Sequence, residues 1–357
     1  MDDYKYQLKK FKILLLLSAV VFFFGFSHSL VERLYSQGLY QVTAPAQRFI
    51  SALVPFPLGD FLYLLLIIFV LISLYRFYQK VRFNRLVKTD RIKVPVQVIN
   101  FILLLYLVFK ILWGLNYSRP SVSEQLRISD DKYSTAQLVS LGEFFIEELN
   151  QLDSVKKNRF SISQLETIAK AGYDKMQKKN QLFNYPLPAV KPALNSWVIT
   201  KIGIEGYYNP LSGEANVNMR LPAVALPFVT CHEIAHQLGI AREDEANLFG
   251  YLVARHSDNS YFRYSATYAM LKNILFEIRI KSPEDYERIY ATIHATTLQN
   301  IKNDREFWRR YNSQMFGYLD MAFDRFLKLN NQRKGTDSYQ DIVLWLYNYH
   351  KDDLTNK

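Results

Sequence analysis

The chain has one cysteine, Cys231, in 357 residues. An internal disulfide and a four-cysteine zinc site are therefore excluded. Glycine and proline are also scarce, 13 and 12 residues respectively, and no internal repeat or low-complexity segment is present, so collagen-like and linker-rich architectures are out. Histidine is rarer still, with six in all. Acidic residues are outnumbered by basic ones, 33 against 44, for a net charge of +11. Spread over a globular surface, that excess would suggest a nucleic-acid partner. It is instead concentrated in two places. The first twelve residues carry four Lys against two Asp, and Arg76 to Lys93 carries seven Lys/Arg against one Asp. Both segments flank apolar runs, which points to a lipid bilayer as partner and away from nucleic acid.

Aromatic residues are abundant, with 25 Tyr and 25 Phe, enough for a packed, helix-rich body. Three runs, about 13–30, 58–78 and 96–117, are apolar and long enough to predict transmembrane helices. No convincing cleavage site follows the first, so it reads as a retained helix and not a signal peptide. Lys/Arg counts in the flanks orient the spans. The amino terminus has four and the second loop seven, against two in the loop between the first and second spans. These counts predict a multi-pass protein with a cytoplasmic amino terminus and a domain on the outer face, which in a bacterium would be the periplasmic side of the inner membrane. Residues 1–117 are then a membrane anchor and 118–357 an extracytoplasmic domain.

Within 118–357 the pattern predicts an α+β, mostly helical domain with a small sheet. Ser134 to Leu152 has amphipathic spacing, and Ser163 with Glu166 reads as a capping box opening a second helix. Strand-like runs follow at Trp197–Ile204 and Glu214–Met219, and helical patterns dominate from Pro227 onward.

The stretch TCHEIAHQLGIAREDEAN, from Thr230 to Asn247, carries the chemistry. His232 and His236 are four apart and share one face of a helix, so two imidazoles can grip one zinc ion. Glu233 then flanks a zinc-bound water as general base, the H-E-x-x-H arrangement of zinc peptidases. A catalytic zinc needs a third protein ligand and an open position. Gly239 is placed to stop the helix, and the acids after it head the next one. Glu243, Asp244 and Glu245 are the candidates, although any of them could simply serve the helix dipole. Glu245 is favoured because Glu-Ala-Asn resembles the third-ligand segment of several zinc peptidases; Glu243 is the alternative. GEANVNMR, Gly213 to Arg220, is expected to be an edge strand that binds extended substrate by strand addition, with Asn216 and Asn218 toward its backbone. Tyr251 and Tyr339 are candidates for stabilising the transition state, and Cys231 is a small core residue.

YSQGLY, FPLGDFLY, WGLNYSRP and the CHEIAHQLGIAREDEANLFGYL core together resemble domain-of-unknown-function family 3810, a bacterial membrane family, over nearly the whole chain. In its motif that family is similar to gluzincin-type metallopeptidases. The resemblance implies a zincin-like domain with His232 and His236 as ligands, Glu233 as base and a downstream Glu as third ligand. Only eight residues separate His236 from Glu245, a gap far shorter than in many gluzincins. The expected function is hydrolysis of peptide bonds in envelope proteins or peptides by a membrane-anchored zinc peptidase. The alternative from another class is a catalytically silent metal-binding sensor or scaffold, for which an intact Glu233 has no use.

Overall fold

The computed structural model describes residues 2–155, 158–311 and 341–355. Two helices, α4 (Leu58–Arg82) and α5 (Asp90–Leu112), are each long and apolar enough to cross a bilayer. Their side chains are largely exposed, Leu65, Leu71, Ile99 and Ile102 among them, as expected of a surface meant for lipid. The first run passes the same test only together with the segment that follows it, as a bent pair. Helix α1 (Asp2–Phe24) has its apolar part only from Ile13, about 18 Å of helix at 1.5 Å per residue. The chain then breaks and continues in a direction bent by 100°. The segment beyond the break is a short helix α2 (His28–Leu30), a π-helical stretch (Val31–Leu39) and α3 (Tyr40–Ala52). What reads in sequence as a loop between spans is thus mostly helix.

At one end of the spans, Lys93 pairs with Asp3, and Asn100 donates to the Gln7 carbonyl at 3.1 Å. The basic flanks gather at that end. At the other end the chain leads into α6 (Val122–Leu126), α7 (Thr135–Gln151) and α8 (Ile162–Gln177), which precede the sheet. Ser134 with Gln137 and Ser161 with Gln164 form capping boxes. The second therefore lies two residues ahead of the expected Ser163, and Glu166 instead accepts from the Val190 amide at 2.7 Å.

The sheet has three short strands, β1 (Val190–Pro192), β2 (Gly206–Asn209) and β3 (Glu214–Val217), in the order β1-β3-β2. β3 pairs in parallel with β1 and antiparallel with β2. The expected edge strand is therefore the central one, and β2 lies at an edge. The expected strand at Trp197–Ile204 is instead a helix, α9 (Ser196–Lys201), capped by the Asn195 side chain. After the sheet come α10 (Leu226–Gln237), α11 (Glu243–Arg255), α12 (Ser260–Lys281), α13 (Pro283–Tyr290) and α14 (Ala295–Tyr311). Two further helices, α15 (Asp341–Tyr349) and α16 (Lys351–Thr355), close the described chain. The core runs between α7, α8, α10, α11 and α12, with Phe145, Tyr173, Ile234, Phe249 and Leu271 at its centre. It buries α10 almost entirely, so the polar residues of that helix must find partners inside the protein.

Candidate metal centre

His232 and His236 lie on α10, and the way this helix ends sets the geometry of the second. Gly239 adopts φ +78°, a left-handed conformation that glycine reaches without penalty. Its amide donates to the His236 carbonyl at 3.0 Å, and the Ile240 amide donates to Ala235 at 3.2 Å, the paired bonds of a Schellman turn. This turn carries the Ile240 carbonyl back to His236 Nδ1, 2.6 Å away. A carbonyl only accepts, so Nδ1 holds a proton and Nε2 presents its lone pair in the neutral ring.

That lone pair faces a second imidazole nitrogen and a carboxylate oxygen. His236 Nε2 lies 3.2 Å from His232 Nε2 and 3.6 Å from Glu243 Oε2, and His232 Nε2 lies 3.2 Å from the same oxygen. Three ligand atoms within 4.8 Å of one another could hold a metal ion. Two imidazole nitrogens and a carboxylate oxygen turned inward repel unless a proton or a cation sits among them, and this donor set suits a divalent ion such as zinc. Burial works against a charge on His236, yet Glu243 outweighs it and lifts the imidazole to about 9. Burial likewise opposes the Glu243 carboxylate, but the two histidines hold it well below the usual range.

The acid brought to the histidines is Glu243 and not the favoured Glu245. Glu243 is the first residue of α11, and Gly250, seven residues on, lies on the same face. A Cβ at Gly250 would come within 2.9 Å of the His232 amide nitrogen, so this face is the one packed against α10. Glu245 is turned about 200° from Glu243 at 100° per residue. Its carboxylate accepts from the Val122 amide at the start of α6, 3.2 Å, and from Arg242 at 3.1 Å. Asp244 is buried with Oδ1 unpartnered, and burial pushes it up to about 8.

Glu233 is 3% exposed, with Oε2 unpartnered. Burial raises its pKa to about 7 against the pull of His232 and His236, the range in which a carboxylate can take up and return a proton. Its other oxygen packs over Gly206 of β2: a Cβ there would come within 2.6 Å of Oε1, so the Glu233 side chain would have to shift. Asn218 N donates to Glu205 O, so the alternation of an antiparallel ladder turns the amides and carbonyls of Gly206 and Tyr208 toward the outer edge. Among the described residues no strand pairs with that edge.

A further group of residues was not legible as part of this site. The last carbonyls of a helix lack intrahelical partners, and those of α10 are met from the membrane-proximal segments. Trp113 Nε1 donates to the His236 carbonyl at 3.0 Å. Tyr40 and Arg48 both donate to Gln237, each at 3.0 Å, and Arg119 to Leu238 and Gly239 at 3.2 and 3.3 Å. Arg48 is 2% exposed and also donates to Pro186 and Leu187. Two guanidinium groups thus sit at the negative end of the helix dipole, and Glu32 fixes Arg119 at 2.8 Å.

A family model described as a protein of unknown function (DUF3810) matches residues 35–347. The chain belongs to this family. The match takes in Tyr40, Arg48 and Trp113 along with His232, His236 and Glu243, so the DUF3810 unit includes both the candidate centre and the membrane-proximal segments that cap it. No curated protein and no solved structure matches the chain.

The remaining expected site residues fall elsewhere in this DUF3810 chain. Asn216 is fully buried; its strand position puts it with Glu214 on the face opposite Ala215 and Val217, and Glu214 accepts from the Leu58 and Gly59 amides at the start of α4. Asn218 holds a turn, donating to Thr200 Oγ1 at 2.8 Å and to the Ile204 carbonyl. Neither faces the histidines with a free edge beside it. Tyr251 is buried in the core, its hydroxyl 2.8 Å from His350 Nε2. Tyr339 lies outside the described residues. Cys231 is a buried free thiol, as expected of a small core residue.

Proposed function

We propose that the chain is a membrane-anchored, zinc-dependent peptidase with its site at the outer, periplasmic ends of the spans. The observation that carries this reading is the convergence of His232, His236 and Glu243 beside a buried glutamate with one unpartnered oxygen. A scaffold that merely stored a metal would have no use for a carboxylate beside the two histidines that is not itself a ligand. Zinc held by these three residues would supply a Lewis acid for the scissile carbonyl and for water. Glu233 takes the proton of the attacking water at Oε2 and returns it to the leaving amine. Gly206, on the part-exposed half of β2, offers its backbone groups at that edge to an extended polypeptide, and the absence of a side chain there leaves Glu233 its place.

The test is hydrolysis of fluorescently labelled casein by the full chain in detergent. Cleavage that is abolished by a chelator and by Glu233→Gln, with metal content unchanged in that variant, is the expected result. Cleavage at the parent rate by Glu233→Gln would overturn the reading.

A further inference from the structure

The face of the 31–52 segment that does not touch the domain is apolar. Tyr35, Tyr40, Ala44 and Arg48 are buried against the domain, whereas Val42, Phe49 and Leu53 on the opposite side are 70%, 54% and 69% exposed. An amphipathic helix with bare leucine, valine and phenylalanine needs an apolar partner. Its position identifies that partner. Tyr40 and Arg48 are eight residues apart, about 12 Å along a helix, yet both reach the Gln237 carbonyl, which adjoins the carbonyl bound by Trp113. Trp113 directly follows the last residue of α5, and α3 ends six residues before α4 begins. The helix therefore runs across the level at which α4 and α5 leave the bilayer.

A second exposed apolar feature continues the same surface. Leu194, Trp197 and Val198, at the start of α9, are 54%, 50% and 39% exposed. The Leu194 amide donates to Asp60 in the first turn of α4 at 2.9 Å, and Lys191 donates to the Val54 carbonyl at 2.5 Å. Lys201 lies 4.0 Å over the Trp197 ring. A tryptophan beside a lysine is the usual dress of a membrane–water interface.

We infer that the 31–52 segment lies in the plane of the membrane surface, its Val42/Phe49/Leu53 face in lipid, and that Leu194, Trp197 and Val198 extend this contact, seating the domain on the bilayer. The 100° bend after α1 is the turn from running alongside α5 to lying on the membrane surface. The occupant of the apolar face is the lipid of that leaflet, because the face is continuous with two spans that already require lipid.

The experiment places a nitroxide at single cysteines replacing Val42, Phe49, Leu53 and Trp197 in the full chain in phospholipid nanodiscs, with Glu284→Cys on α13 as the water-facing control. All four substituted positions are exposed, so folding is not at stake, and the native Cys231 is buried. Relaxation by oxygen should exceed that by a water-soluble nickel complex at the four sites and fall below it at 284. Immersion depth should be equal at 42 and 53 to within about 5 Å. Nickel accessibility at 42 and 49 matching that at 284 would overturn the inference. So would a depth difference above about 10 Å between 42 and 53, which are about 16 Å apart along the axis and would then belong to a re-entrant hairpin. Dipolar coupling between labels on two chains at position 49 would also overturn it, since a second copy would then cover the face.

Discussion

The Arg48 guanidinium donates through Nη1 to the Gln237 carbonyl, 3.0 Å away and one residue beyond His236. A side chain from the segment between the first two apolar runs thus closes the helix that bears both histidines. Replacing Arg48 with Ala would leave the carbonyls of Pro186, Leu187 and Gln237 without this donor inside the protein, a loss on the order of 3 kcal/mol. The thermal midpoint of the detergent-solubilised chain should drop, and Lys at this position should restore only part of it, because one ammonium cannot reach three carbonyls in a fork. A midpoint unchanged in Arg48→Ala would remove this contact from the account. By the same logic, the isolated 118–357 fragment, lacking Tyr40, Arg48 and Trp113, should bind zinc more weakly than the full chain in a competition titration.

Gly250 and Gly206 test the two close approaches that shape the site. Gly250→Ala sets a Cβ 2.9 Å from the His232 backbone nitrogen, so α10 and α11 must part, at a cost of about 1–3 kcal/mol. Both thermal stability and zinc content should fall. Gly206→Ala displaces first the Glu233 carboxyl, the group nearest the added Cβ, and casein hydrolysis should fall while zinc content stays. Retention of activity in Gly206→Ala would show that Glu233 does not act from its present position.

Stability should also depend on pH through a residue remote from the centre. Burial pushes the His350 imidazole down to about 4, against the pull of Asp353. Unfolded, the ring titrates near 6.5, so between about 4 and 6.5 the unfolded chain binds the extra proton. The His350 contribution is therefore complete above about pH 6.5 and is lost as the pH falls toward 4, by up to roughly 3 kcal/mol. Denaturation midpoints of the parent and His350→Gln across this range should converge at the acid end, and parallel curves would refute the assignment.

If the apolar plate seats the domain on lipid, the β2 edge is held near the headgroups. Peptides tethered to vesicles through a spacer of a few residues should then be cleaved faster than the same peptides free in solution at equal bulk concentration, by the effective-concentration argument. Equal rates would separate the proposed chemistry from the proposed seating.

The spans α4 and α5, the helix of Thr135–Gln151 and the helix stop at Gly239 were legible because apolar periodicity and capping chemistry are local. His232, Glu233 and His236 were legible for the same reason, since one helix places all three. The third acid was not, because Glu243 and Glu245 differ only in which way the first turn of α11 faces. The nearest signal was Gly250, seven residues after Glu243, marking the face that approaches α10. The 31–52 segment was hidden by its π-helical stretch, which shifts the apolar stripe out of a 3.6-residue period. The sheet order was hidden because β1 and β2 have three and four residues, too few for alternation to show.

Metal content of the purified full chain, measured by elemental analysis beside four variants, tests the central claim most directly. One zinc per chain is expected, lost in His236→Ala and Glu243→Gln and kept in Glu233→Gln and Glu245→Gln. A folded parent chain without stoichiometric metal, or one that loses it in Glu245→Gln and not in Glu243→Gln, would contradict the account.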